Sequence, residues 1–143
     1  MDGPVARPLP APDPLTTGFW AAARERRLVV QRCDSCGTLR HYPQPMCANC
    51  HSMDWSWTEL SGRGTVYTFT VTHQVFHPAW AGHVPYAVAT IELDEGVRLV
   101  SDLPPEDVDD VAIGSPVEVF FEEHQRDDGA TLTLPRFRLT RDG

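Results

Sequence analysis

A mainly β fold is what this sequence predicts: a metal-binding ribbon followed by a five-stranded barrel, with one short helix in front. Three observations carry that expectation. Cys33, Cys36, Cys47 and Cys50 are the only cysteines of the 143 residues, and they stand as C-x2-C-x10-C-x2-C. From Trp55 onward apolar and polar residues alternate in strand-length runs, the period-two pattern of half-buried strands. Ahead of the first cysteine, a proline-rich start gives way to a stretch of alanine and aromatic residues.

Pro4, Pro8, Pro10, Pro12 and Pro14 make residues 1–15 an extended arm, because proline neither donates into a sheet nor continues a helix. Thr16 or Thr17 caps a helix over 16–27. It runs through Phe19, Trp20, Ala22 and Ala23, with Arg24, Glu25, Arg26 and Arg27 as its polar side. The ribbon occupies 28–60. Its first strand, Leu28 to Arg32, delivers Cys33 to a knuckle, and Gly37 directly after Cys36 allows the positive φ such a turn demands. Trp55 and Trp57 face one way on a lead-in strand that ends at Ser61-Gly62-Arg63-Gly64.

The barrel fills 61–143. Strand one runs Thr65 to Val75, with Tyr67, Phe69, Val71, His73 and Val75 expected on one face. Strand two spans Val84 to Leu93 and turns at Asp94-Glu95-Gly96; strand three is Val97 to Leu103. An acidic stretch, Pro104 to Asp110, precedes strand four, Val117 to Glu123. Asp127-Asp128-Gly129 then leads to strand five, Thr131 to Leu139. Five strands of this length suit an OB-fold, a small, partly open five-stranded barrel. Pro135 makes the last strand an edge or a bulge. Arg136 and Arg138 share one of its faces, Phe137 and Leu139 the other.

Two C-x2-C pairs supply four thiolates, the closed tetrahedral shell of a structural Zn2+ site with no position for a substrate water. Rubredoxin-like iron binding needs the same four thiolates. Two disulfides would suit a secreted domain, but MDGPVARPLPAPDPL carries no apolar export core, so a reducing cytoplasm is the expected compartment. His41 and His51 lie near the cysteines, but four sulfurs already fill the shell, so both are read as bystanders. No apolar run approaches the ~20 residues of a membrane span. Lys and Arg total 12 against 20 Asp and Glu, a net charge of -8 that disfavours a polyphosphate partner such as nucleic acid.

Catalytic patterns are absent: no G-x-S-x-G, no H-E-x-x-H, no phosphate-cradling glycine loop. All four cysteines belong to the metal, so none serves as a nucleophile. Glu122, Glu123 and His124 form a polar strand end that nothing in the sequence positions as acid and base. The loop from Phe76 to Tyr86 is a contact surface first. Phe76, Trp80 and Tyr86, interleaved with His77 and His83, could stack bases, meet a partner protein, line an acyl channel or fold back over the barrel mouth. Phe19 and Trp20 either dock on the ribbon or barrel or offer a partner a handle. The candidate partner or ligand surface is therefore Phe19, Trp20, Phe76, His77, Trp80 and Tyr86.

Taken together, these pieces resemble the acyl-CoA-associated zinc-ribbon/OB-fold family, formerly known only as a domain of unknown function. The resemblance spans about Phe19 to Arg141. It rests on Cys33-Asp34-Ser35-Cys36-Gly37, Tyr42-Pro43, Cys47-Ala48-Asn49-Cys50 and the run Ser61 to Val71. Val84-Pro85-Tyr86, Ile113-Gly114-Ser115-Pro116-Val117 and Leu134-Pro135-Arg136-Phe137 add to it. It implies a non-catalytic accessory subunit beside a thiolase-fold enzyme, a thiolase, acetyltransferase or steroid side-chain aldolase acting on acyl-CoA thioesters. Direct acyl-CoA binding by the barrel is the alternative, and a single-stranded nucleic-acid-binding role is the weaker one.

Overall fold

The computed structural model describes residues 8–141, so Pro4 of the expected arm lies outside the described residues. Asp13 marks the end of the arm. Its Oδ1 accepts from the N–H groups of Leu15 and Thr16 at 2.9 Å each, and its carbonyl accepts from Thr17 N at 2.8 Å. Helix α1 (Thr17–Arg24) follows and stops short of Arg27. Arg26 adopts φ 63°, while the N–H groups of Arg26 and Arg27 bond back to the carbonyls of Ala23 and Ala22. That pair of bonds around a left-handed residue closes a helix. Arginine holds the position that glycine usually takes, and its guanidinium donates to Phe121 O and Glu123 Oε1, tying the helix end to the barrel. Among the described residues no helix is long and apolar enough to cross a membrane.

In the ribbon, β1 (Val29–Cys33) lies between β2 (Leu39–Arg40) and β3 (Trp55–Glu59), antiparallel to both. Trp55 and Trp57 do share a side: their rings meet edge to face at 5.0 Å. A Cβ on Gly18 would overlap the Trp57 indole, so only glycine lets α1 approach β3 this closely.

The barrel is one antiparallel sheet in the order β6-β5-β4-β7-β8. Its strands are β4 (Arg63–Thr72), β5 (Tyr86–Leu93), β6 (Arg98–Asp102), β7 (Pro116–Gln125) and β8 (Thr131–Leu139). Five strands and an edge position for the Pro135-bearing strand agree with the expectation. The face assignment of the first strand does not. A register shift between Val66 and Thr68 breaks its alternation, so Val66 is buried while Tyr67 is 46 % exposed. Tyr67 thus parts company with Phe69 and Val71, which pack against the core. An extra residue in one strand flips every side chain beyond it.

The curled sheet brings β6 and β8, the ends of the strand order, together without a backbone ladder. Side chains bridge them instead. Phe137 N donates to Ser101 Oγ at 3.1 Å, and Arg136 grips Asp102 with Nε and Nη2 at 2.8 and 2.9 Å. The core runs through both units: Leu28 and Val30 of the ribbon pack in one cluster with Val66, Ile91, Val117 and Phe137 of the barrel, and Phe19 of α1 rests against it.

Candidate metal centre and barrel cleft

Two matching turns build the metal centre. Gly37 N donates to Cys33 O at 2.9 Å, and His51 N to Cys47 O at 2.8 Å. Gly37 (φ 79°) and His51 (φ 64°) both sit in the left-handed region, one place after the second cysteine of each pair. The need for positive φ, expected for the first knuckle, therefore recurs in the second with a histidine bearing it. The four Sγ atoms lie within 4.8 Å of one another, with Cys33–Cys50 and Cys36–Cys47 at 3.6 Å. A tetrahedral ion with Zn–S bonds of about 2.3 Å requires sulfurs about 3.8 Å apart, so the donor set fits zinc. Thr38 Oγ1 at 3.0 Å and Asn49 Nδ2 at 3.5 Å from Cys36 Sγ hold that thiol down, to about 5, on the thiolate side.

His41 and His51 take no part in the sulfur cluster. His41 packs between Phe19 and Tyr42, with ring centroids 5.4 and 4.3 Å away. Burial pushes its imidazole down to about 4, and Nδ1 has no hydrogen-bond partner. Phe19 and Trp20 stack edge to face at 4.9 Å beside it. These two candidates thus belong to the α1–ribbon junction; Phe76, His77 and Trp80 lie in the loop between β4 and β5, and Tyr86 opens β5.

In that loop a single 3-10 turn spans Pro78–Trp80, capped by His77, whose Nδ1 accepts from Ala79 N at 3.0 Å. The His77 ring meets Trp80 edge to face at 5.7 Å, and Trp80 lies 6.4 Å from Tyr86. Trp80 and Tyr86 are two walls of a cavity of ≈ 530 Å³ whose polar lining includes Asp102, Asp109, Glu122 and Arg136. Phe76 stands away from the protein, 73 % exposed.

The strand-end cluster has more order than its sequence shows. Glu122 and His124, two apart on β7, point the same way, and their side chains meet at 2.6 Å. Glu122 Oε2 accepts from Arg136 Nη1 at 2.8 Å. Burial works against the Glu122 charge, but Arg136 and His124 hold its carboxyl below the usual range. Burial also opposes the Arg136 charge, yet Asp102 and Glu122 keep it above its ordinary value. The i, i+2 spacing was the available signal; which groups β8 and β6 would bring to it was not. The cleft lining holds three carboxylates, Asp102, Asp109 and Glu122, against the one guanidinium of Arg136, an excess of negative charge that repels phosphate. Each ionised group in the Asp102–Arg136–Glu122 chain is already spent on its neighbour. Arg138 and Arg141 are engaged likewise, with Glu118 and with Asp107 and Asp110.

Comparison with known proteins follows the same division. Residues 20–56 match the model of the ChsH2 rubredoxin-like zinc ribbon domain, and residues 57–122 that of the ChsH2 C-terminal OB-fold domain. A probable enoyl-CoA hydratase alpha subunit of Thermomonospora curvata is 45 % identical over 92 % of the chain. The chain spans only 40 % of that relative's length. A DUF35 domain-containing scaffold protein of Methanocaldococcus jannaschii is 33 % identical over 80 % of the chain and 82 % of its own length. The benzoylsuccinyl-CoA thiolase subunit BbsA of Geobacter metallireducens is 33 % identical, over 78 % of the chain and 64 % of its own length. Among solved structures, a chain of the Ltp2-ChsH2(DUF35) aldolase superposes with a TM-score of 0.78 at 44 % identity, covering 92 % of this chain and 98 % of that one. With its four-cysteine ribbon and five-stranded barrel, the chain belongs to the DUF35 family of paired zinc ribbons and OB-folds.

Proposed function

We propose that the chain is a non-catalytic accessory subunit of a thiolase-fold enzyme that makes or breaks C–C bonds in acyl-CoA thioesters, with a steroid side-chain retro-aldolase as the favoured case. The observation that carries this reading is the match to nearly the whole of one chain of the Ltp2-ChsH2(DUF35) aldolase. The thiolase subunit among the relatives supports the same partner class. Two features of the site support a non-catalytic role. Four sulfurs close the metal shell against substrate, and Asp102, Arg136 and Glu122 of the cleft are committed to one another in ion pairs.

In this reading the partner meets Phe19, Trp20, Phe76, His77, Trp80 and Tyr86. Phe76 is the strongest anchor, because a large apolar side chain exposed this far gains most from being covered. Direct acyl-CoA binding by the barrel is the second reading. The cavity volume favours it, while the carboxylates of its lining oppose the phosphates of the coenzyme.

Affinity capture from the native host, followed by native mass spectrometry, tests the leading reading. A stoichiometric thiolase-fold subunit is expected, lost from Phe76→Asp and weakened by Trp20→Ala and Trp80→Ala. Capture of the chain alone with one zinc defeats the accessory role, and an intact complex in all three variants defeats the surface. Calorimetric titration with coenzyme A separates the second reading: saturable heat favours the barrel as a coenzyme site.

A further inference from the structure

A smaller hollow of ≈ 260 Å³ adjoins the large cavity and shares Trp80, Asp102, Glu122 and Arg136 with it. The two form one cleft along the seam where β6 and β8 meet without a ladder. Part of the wall of this hollow comes from the arm itself, from Pro8 and Leu9. Leu9 is half-buried while Pro8 and Pro10 are exposed, so the arm turns its aliphatic side chain inward. Pro10 O accepts from Arg126 Nη1 at 2.6 Å, a charge-assisted bond from the turn joining β7 and β8. Beyond this contact the chain runs to the Asp13 turn, so the segment is anchored on its C-terminal side.

Proline-rich chains are extended before they bind, keep their carbonyls free for outside donors, and lose little entropy on docking. Recognition grooves for them combine an aromatic or apolar floor with a hydrogen-bond donor. Here Trp80, Leu134 and Pro135 supply the floor and Arg126 the donor. We propose that the cleft between β6 and β8 is a recognition groove for an extended proline-rich segment, and that the chain's own arm, through Pro8-Leu9-Pro10, is its resident ligand. The arm thereby covers one end of the cleft that leads to the larger cavity. This role shares Trp80 with the partner surface proposed above, but its test reads peptide binding rather than complex formation.

The test uses the full chain and a labelled peptide with the sequence of residues 4–14. Leu9→Asp should free the groove, because a tethered arm competes at a high effective concentration. The peptide should then bind Leu9→Asp at least ~10-fold more tightly than the unchanged chain. Adding Arg126→Gln to Leu9→Asp should weaken that binding by about 10-fold. Equal or absent binding by both chains overturns the proposal, as does binding indifferent to Arg126→Gln. The unchanged chain supplies a measurement that needs no variant. In NMR spectra the Leu9 methyl groups should show nuclear Overhauser contacts with Trp80 or Leu134, and an absence of such contacts overturns the arm's placement.

Discussion

At the residue scale, His41 shows how an unremarkable side chain becomes a pH-dependent one. The unfolded chain binds its proton near the ordinary value of 6.5, whereas the buried imidazole stays neutral down to about 4. Between those values the unfolded state holds more protons, so stability is full above about 6.5 and falls as pH drops toward 4. The loss at the lower end is on the order of 3 kcal/mol. Urea melts between pH 7 and 5 should show a steeper fall for the unchanged chain than for His41→Phe, whose ring can keep the stacking with Phe19 and Tyr42. Equal slopes would show that the histidine is paid no penalty by burial. Cys36 is the opposite case, where local donors favour the charged form that a metal needs. Neither behaviour follows from residue type; both follow from what the neighbours offer.

At the element scale, the barrel depends on how closely β4 can approach β5. A Cβ on Gly64 would overlap the Glu92 carbonyl and crowd Leu93 Cα. Backbone atoms cannot swing aside as a side chain can, so Gly64→Ala should cost about 2–3 kcal/mol. Chemical denaturation would measure it; a cost under about 0.5 kcal/mol, the size of an ordinary surface change, would show that the two strands can part freely. The same strand carries the shift that turns Tyr67 outward, where its ring takes Arg98 at 3.7 Å. The strand's extent was legible from its alternation. The shift was not, because Val66 and the threonines around it read equally well in either register.

At the scale of the whole molecule, ribbon and barrel stand or fall together. Leu28 and Val30 leave the metal-bound unit to pack with the barrel core. A structural zinc contributes on the order of 10–16 kcal/mol to a small metal-dependent fold, so its loss should reach beyond the ribbon. Cys47→Ser is expected to bring zinc content well below one per chain, lower soluble yield, and reduce hydrogen-exchange protection at the Val66 and Phe137 amides. Full barrel protection in a zinc-free variant would mean that the two units are energetically separate.

By itself the sequence determined the features that are written locally: ligand spacing for the metal, period-two alternation for the strands, and proline and glycine for the arm and turns. Each is set by neighbours within a few residues, so no long-range information is needed to see it. The helix end at Arg24, the burial of His41, and the seam where Arg136 joins Asp102 to Glu122 were decided only by the tertiary structure. Those groups come from α1, the ribbon, β6, β7 and β8, and what each one does depends on which partner the fold brings within hydrogen-bonding distance. Charge and packing there are properties of the assembled barrel, while thiolate spacing is a property of the chain.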